Sequence, residues 1–264
     1  MPHHFTGRMA GALAVAALLV AGCSSGSPGN SGGSGSGGSG GSPSNSASSG
    51  GSGNSGSGST TAAGSALFPV AVGEKWVYTT HLGSLGTSST TTDTIKAIKP
   101  VSGGSLVTMT DASHVPGAPA KPTQLTYMFY SDGSISVPFT QLSGGKVTIK
   151  SGSIVWPSAA VIASGQSHSS VLSISIKTNG QVINEKVHVT VKGGGTHTVT
   201  VPAGTYQATV LDQTMAETVL GHHVSLNVRT WLAPGVGPVQ SEVLDRAALG
   251  GGPQVLQELK SFTK

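Results

Sequence analysis

Residues 186–211 read KVHVTVKGGGTHTVTVPAGTYQATVL, and their alternation indicates the fold class. Valine alternates with histidine, threonine or lysine in KVHVTV and again in THTVTV, and a period of two is the signature of a β-strand with one buried face. Pro202 and Gly204 stand where a β-turn takes them. The stretch therefore predicts two antiparallel strands that meet at this turn.

The three glycines at 193–195 predict a second turn. A three-residue loop there sets Val189 opposite Val199 and gathers the valines on one apolar face, which a register shifted by one residue would not do. In that arrangement His188 and His197 point to opposite faces of the hairpin. The pattern thus argues against a metal ion shared by these two histidines.

The same alternation recurs in several segments of residues 66–264. Turn sequences such as Ser131-Asp132-Gly133 and Ala233-Pro234-Gly235-Val236 separate these segments. About a dozen short strands at this spacing predict an all-β fold, a large antiparallel curved sheet or half-barrel with little helix. One or two helical turns are expected within 156–165, WPSAAVIASG. The end, VLQELKSF, fits either a helix or a closing strand. The other strand candidates are KWVYTTH, STTTDTIKAI, SLVTMT, QLTYMFY, SISVPF, KVTIKS, VLSISIK, VSLNVRTWL and VQSEVL.

The chain starts with the pattern of an export signal. Arg8 precedes an uncharged apolar run at 9–22, followed by the only cysteine, Cys23. A run of that length is too short for a permanent membrane helix, which needs about 20 residues. We therefore expect residues 1–22 to be a signal peptide that is removed.

The sequence Val20-Ala21-Gly22-Cys23 resembles the lipobox of bacterial lipoproteins. The resemblance implies that Cys23 is acylated and becomes the first residue of the mature chain. Two or three acyl chains anchor a protein firmly, because each buried CH₂ contributes about 0.8 kcal/mol. The expected location is the extracytoplasmic side of the cell membrane, and the expected partner of Cys23 is the lipid bilayer.

Residues 24–60 form a Gly/Ser segment, with 16 serines and 14 glycines among 37 residues and no charge. Such a composition cannot bury enough apolar surface to offset the entropy of ordering. We expect residues 23–65 to be an acylated cysteine followed by a disordered tether with a root-mean-square span of about 33 Å. Residues 66–264 are then expected to form a single β-rich domain.

Three stretches of this domain, FPVAVGEKWVY (68–78), VTVPAGTYQATVL (199–211) and TWLAPGVGPVQSE (230–242), resemble β-rich exported bacterial proteins of unassigned function. More distantly, the domain is similar to the half-barrel lipoproteins of the LolA/LppX type. That similarity implies a curved sheet closed by helices that holds lipid.

Charge and cysteine content exclude several classes of function. The net charge is only +4 and charged residues make up 9% of the chain. The lysines are spread over many segments, which fits solvated strand faces and argues against a nucleic-acid groove. With a single cysteine, the domain has no disulfide and depends on packing.

No motif indicates catalysis, a metal or a cofactor. His222 and His223 are neighbours on a predicted strand, and no ligand at zinc spacing stands beside them. Six aromatic residues are weak candidates for the lining of a ligand cavity, although filling the core is the commoner role of such residues. They are Trp76, Tyr78, Tyr127, Phe129, Trp156 and Trp231.

We therefore expect a membrane-anchored lipoprotein with a non-catalytic β domain that binds or presents an envelope partner. The alternative is a carrier of lipid or another apolar ligand in a concave half-barrel. An envelope hydrolase ranks third, because the ten acidic residues are scattered along the chain.

Overall fold

A computed structural model describes residues 66–82, 87–114, 121–138, 147–178, 181–219, 222–244 and 255–264. Nearly all of them belong to one antiparallel sheet of thirteen strands. Cys23 and the Gly/Ser segment lie outside the described residues, so the boundaries at 22/23 and 65/66 stay predictions. The elements are β1 Lys75–Leu82, β2 Thr87–Val101, β3 Gly104–His114, β4 Lys121–Tyr130, β5 Ile135–Val137, β6 Val147–Ser151, β7 Ile154–Trp156, α1 Ala159–Ala163, β8 Ser167–Thr178, β9 Gln181–Val201, β10 Gly204–Val219, β11 His222–Ala233, β12 Gly237–Val243 and β13 Val255–Thr263.

The strand order in the sheet is β6-β8-β9-β10-β11-β12-β13-β1-β2-β3-β4-β5-β7. The two edge strands, β6 and β7, are consecutive in the chain and are joined by Gly152 and Ser153. In addition, β7 contacts β8 and β9, which lie near the opposite edge. The sheet therefore curls back on itself and has an inner face, which carries most of the buried side chains.

The predicted all-β antiparallel fold is confirmed. The turns at 202–203 and 234–236 join β9 to β10 and β11 to β12, and Gly235 has the positive φ of 71° that a type II turn needs. The end of the chain is the closing strand β13, which pairs with β1 and β12. One strand, β7, was not predicted, because three residues are too few to show a period.

The predicted hairpin at 193–195 is wrong. β9 runs without interruption from Gln181 to Val201, and the glycines form a bulge in which residues 194 and 195 face the single residue Val210 of β10. The extra residue shifts the alternation, so the valines on its two sides face opposite sides of the sheet. A glycine run suits both a turn and a bulge, and here the long partner strand β10 selects the bulge.

This correction changes where the two histidines lie. His188 and His197 are both exposed on one continuous strand, nine residues apart. At about 3.3 Å per residue they are separated by about 30 Å. They do not face each other across a turn.

The buried residues form two clusters. The aromatic cluster lies between the β1–β4 region and the β11–β13 region and includes Phe68, Trp76, Phe129 and Leu259. The aliphatic cluster lies under β8–β11 and α1 and includes Leu172. Trp156 packs against both clusters, so β7 connects the two halves of the core.

One end of the sheet, here called the rim, collects the strand ends that flank the segments not described. Because neighbouring strands are antiparallel, these ends lie on the same side of the sheet. Within the described part of the chain, no helix has the length and apolar character needed to cross a membrane. The strand ends of the rim are Leu82 and Thr87, His114 and Lys121, Thr178 and Gln181, Val219 and His222, and Val243 and Val255.

Candidate functional site

All six predicted aromatic residues belong to the aromatic cluster or pack against it. The period of two puts Trp76 and Tyr78 of β1 on the inner face, and it does the same for Tyr127 and Phe129 of β4. Phe68, from the segment before β1, lies among them, with ring centroids 5.4 Å from Trp76 and 5.5 Å from Phe129. These rings contact one another and fill the core. Binding of a ligand by them stays a prediction.

Two of these rings also bind the backbone of the opposite region. The Trp76 indole Nε1 donates a hydrogen bond of 2.6 Å to the Val236 carbonyl. The Tyr78 hydroxyl donates one of 3.0 Å to the Pro238 carbonyl. The aromatic cluster therefore connects β1 to the turn between β11 and β12.

The other two predicted aromatic residues pack against this cluster from β7 and β11. Trp156 on β7 donates a hydrogen bond of 3.3 Å to Gln213 Oε1 on β10. Trp231 of β11 is partly buried, and its ring lies 6.0 Å from the Arg229 guanidinium. Arg229 in turn donates a hydrogen bond of 2.6 Å to Asp212. The six aromatic residues thus contribute to one cluster of the core.

A pair of acids, which sequence reasoning missed, lies beside the aromatic cluster, with Asp111 buried and Asp93 partly buried. Asp93 of β2 and Asp111 of β3 are directly opposite each other in the strand register. Asp111 is only 5% exposed, and the two carboxyl groups are hydrogen-bonded. The alternation of the sequence did contain a signal for this pair. Asp93 lies two residues from Ile95 and Asp111 lies two residues from Met109, so each acid shares a strand face with a buried apolar residue.

The electrostatics of the pair follow from its burial. Loss of solvation raises the pKa of Asp93, and the adjacent Asp111 raises it further. Burial also raises the pKa of Asp111, while the hydrogen bond from Asp93 acts in the opposite direction. Burial, with a contribution from Asp93, raises the pKa of Tyr78 and of Tyr127. Two hydrogen-bonded carboxyl groups share at least one proton, so the pair is a proton-holding site.

One oxygen of the pair is left over. Among the described residues, Asp93 Oδ1 is buried and has no hydrogen-bond partner. Such an atom costs about 1–3 kcal/mol in a folded protein, more when charged. Each unsatisfied group of this kind needs an explanation, such as a bound water or ion or a chemical role.

The acid pair continues toward the rim as a column of polar side chains on the inner face. The register aligns Tyr78 with Thr91 and Thr91 with Ser113, and it aligns Thr80 with Ser89. All four hydroxyl-bearing residues that lie rimward of the pair are at most 9% exposed. We call this set the polar column. Its members are Thr80, Ser89, Thr91, Asp93, Asp111 and Ser113.

A second buried acid lies on the inner face of β10. Glu217 is 6% exposed, and burial followed by the nearby Glu185 raises its pKa to about 7. Within the described part of the chain, its Oε2 has no hydrogen-bond partner. The inner face toward the rim is therefore acidic and polar, whereas the opposite end holds the aromatic cluster.

A cavity of about 410 Å³ lies away from the rim, between α1 and the bulge of β9. Ile162 and Leu67 form apolar walls, and the hydroxyl-bearing Thr196 and Thr209 form part of the rest. Its volume is within the range of about 300–1,000 Å³ that small-molecule sites occupy. None of the six predicted aromatic residues lines it.

The described residues contain no group of three histidine, cysteine or acidic side chains that could hold a metal ion. His222 and His223 begin β11 as successive residues of one strand. The chemistry available on the inner face is that of paired carboxyl groups. Such groups can hold a proton, a water molecule or a cation.

Comparisons with known proteins agree with this architecture. No curated protein matches the chain. One similar solved structure is a protein inferred to be exported, with a YmcC-like fold, from Bacteroides fragilis NCTC 9343. It has 18% identity and a TM-score of 0.53 over 75% of this chain and 98% of that chain. Another is a protein inferred to be a lipoprotein from Parabacteroides distasonis ATCC 8503, with 17% identity and a TM-score of 0.54 over 76% of this chain and 99% of that chain. Residues 127–251 match the family described as DUF3108-like, and the sheet as a whole has the fold of these exported-type proteins.

Proposed function

We propose that this chain is an exported lipoprotein, anchored by acyl chains on Cys23, whose β domain binds an envelope partner at the rim without catalysis. The anchoring part is supported by Val20-Ala21-Gly22-Cys23 after a short apolar run. It is also supported by the description of one protein of the same fold as a lipoprotein and of another as exported. The tether at 24–60 then holds the sheet away from the bilayer.

The binding part depends on one observation, the polar column. In a sheet whose buried face serves only to stabilise the fold, the residues on that face are apolar. Here the inner face changes from aromatic rings to hydroxyl and carboxyl groups as it approaches the rim. Removing polar groups from water costs free energy, and a departure from the apolar pattern of a core is expected at a functional site. The rim is therefore the end of the domain that we assign to a partner.

The anchoring is tested by Cys23→Ser. We expect the wild-type protein to fractionate with membranes and to carry acyl mass on its N-terminal peptide. The variant should be released and should lack that mass. A variant that stays on the membrane, or a wild-type peptide without acyl chains, contradicts the anchor and leaves the binding proposal untouched.

Partner binding is tested by photo-crosslinking in cells at exposed apolar positions. Val182 lies at the rim and is 60% exposed, while Val72 precedes β1 at the opposite end and is 62% exposed. The two positions are thus matched in side chain and exposure. We expect one discrete envelope adduct from a photoreactive residue at 182 and none from 72. Equal adducts at both positions, or none at 182, contradict the rim assignment.

The cavity favours a second candidate, a carrier of an apolar ligand. Its volume of about 410 Å³ and its partly apolar walls suit a small hydrophobic molecule. Native mass spectrometry of the Cys23→Ser chain should then show a bound lipid, and Ala163→Trp, which fills the cavity, should remove it. A ligand-free spectrum, or retention of the ligand by the Trp variant, counts against this candidate.

A further inference from the structure

We infer that Asp93 and Asp111 form a binding site for a hard divalent cation of the Ca²⁺ or Mg²⁺ class, reached from the rim through the polar column. This goes beyond the proposed anchoring and partner binding and does not depend on either. The inference begins with the strand register. Asp93 and Asp111 are a directly opposed cross-strand pair, so both carboxyl groups project from the same face of the sheet.

The free oxygen of the pair is the second observation. Asp93 Oδ1 is buried and has no hydrogen-bond partner among the described residues. This oxygen is therefore able to coordinate a cation. It lies next to a second carboxyl group, that of Asp111, which is only 5% exposed. A cation held between the two groups would satisfy this oxygen.

Charge balance favours a divalent ion over a monovalent one. Among the side chains that the structure describes, the titratable groups coupled to Asp93 and Asp111 are each other and the hydroxyls of Tyr78 and Tyr127. One doubly charged ion that displaces the shared proton would neutralise both carboxylates at once, which a singly charged ion cannot do. Buried charges in proteins are paired or coordinate metals.

The donor set favours a hard ion. The groups on the inner face near the pair are oxygen donors only, with Thr91 and Ser113 placed one step rimward in the register. Ca²⁺ and Mg²⁺ prefer oxygen ligands, and Mg²⁺ sites in particular keep several waters and use one or two carboxylates. Zinc and other softer metals prefer nitrogen and sulfur ligands. A pair of carboxylates with hydroxyl groups and water is therefore a site for a hard cation, even though the described residues contain no third acidic ligand.

The polar column provides the route to the pair. From Asp93 the inner-facing residues of β2 toward the rim are Thr91 and Ser89, and from Asp111 the next one on β3 is Ser113. No purely apolar side chain stands among these positions. A hydrated ion can exchange its waters along hydroxyl groups, whereas the aromatic cluster blocks the other direction.

The test is calorimetric titration of CaCl₂ and of MgCl₂ into the full-length chain after treatment with chelator, at constant ionic strength. We expect one ion per chain with a dissociation constant of about 10⁻⁴ to 10⁻³ M, the range of extracellular calcium modules. Asp93→Asn should weaken binding by at least about tenfold, and the Asp93→Asn/Asp111→Asn pair should abolish it. Circular dichroism establishes that each variant is folded, and Asp111→Asn alone replaces the double variant if that one does not fold.

The matched control is Glu217→Gln, since Glu217 Oε2 is the other buried carboxylate oxygen that lacks a hydrogen-bond partner among the described residues. This variant should bind the ion as the wild type does. The inference is overturned if neither ion gives a saturable heat of binding up to about 10 mM. That concentration is well above the dissociation constants of the weakest extracellular calcium modules. It is also overturned if Glu217→Gln weakens binding as much as Asp93→Asn does, or if spermidine binds the site and the metal ions do not.

Discussion

Asp93 and Asp111 face each other directly across β2 and β3, hydrogen-bonded through their carboxyl groups and enclosed by the inner face of the sheet. Burial first, and for Asp93 the neighbouring acid second, holds their pKa values above the ordinary range. A raised pKa in the folded state means that the native protein binds more protons than the unfolded chain. The pair therefore links folding to pH.

The first prediction concerns this linkage in chelator-treated protein. The contribution of the pair to stability is fully present below the unfolded pKa of about 3.9 and is lost as pH rises through the raised folded values. Each unit by which a pKa is raised corresponds to about 1.4 kcal/mol. Asp93→Asn removes one ionisation, so the variant should lose less stability than the wild type as pH rises. The difference in unfolding free energy between variant and wild type, measured in urea, should therefore shift in favour of the variant from pH 5 to pH 8.

The control for this prediction is Asp132→Asn. Asp132 is exposed, and hydrogen bonds from Ser134 lower its pKa, so any contribution it makes is lost as pH falls. Its difference from wild type should therefore not grow toward pH 8. Parallel pH profiles for wild type and Asp93→Asn would show that the acid pair does not carry the linkage.

The second prediction concerns the junction of the two edge strands. Gly152 has φ of 87°, and a Cβ atom there would lie 2.0 Å from the Val171 carbonyl oxygen of β8. Gly152→Ala should destabilise the protein by more than the roughly 1–2 kcal/mol that a left-handed conformation costs an ordinary residue. Gly165→Ala is the control, because Gly165 has φ of 70° with no atom within 4 Å of the added Cβ. Equal losses for the two variants in thermal unfolding would refute the steric argument.

The third prediction tests the hydrogen bond from Trp76 to Val236. Trp76→Phe keeps an aromatic ring but leaves the partly buried Val236 carbonyl without its 2.6 Å donor. The expected loss is about 1–3 kcal/mol of unfolding free energy in urea. Trp231→Phe serves as the comparison, since Trp231 is only partly buried and packs near Arg229. We expect a smaller loss there, and the reverse order would be evidence against the role of Trp76 as a connection between β1 and the β11–β12 turn.

Particular residues explain how far the sequence predicts this structure. Period-two alternation locates the strands because one face of each strand must be apolar, as in Leu172 and Ile174 of β8. The bulge at 193–195 could not be recognised locally, since the choice between bulge and turn depends on pairing with β10. Asp93 and Asp111 stand in buried phase, but acids are assigned to the surface unless their partners are known, and their pairing depends on the register of two strands.

The aromatic candidates illustrate the same limit. Trp76 and Trp231 are both tryptophans in strands, yet Trp76 is 1% exposed within the aromatic cluster and Trp231 packs against that cluster only partly buried. Which face a strand buries follows from its neighbours and from the bulges, such as the one between Trp231 and Leu232. Sequence reasoning therefore finds the residues of a β core more readily than it groups them into a site.

The last prediction tests the face assignment of β8 with two adjacent residues. Leu172 is fully buried in the aliphatic cluster, whereas its neighbour Val171 is 44% exposed on the outer face. Leu172→Ala leaves a cavity and should cost about 2–5 kcal/mol. Val171→Ala removes surface carbon only and should change stability by no more than about 0.5 kcal/mol. Because successive side chains of a strand alternate between faces, a shift of one residue in the pairing of β8 with β9 would exchange the two results. Chemical unfolding of both variants therefore measures the register that places the whole inner face, including the acids that face the rim.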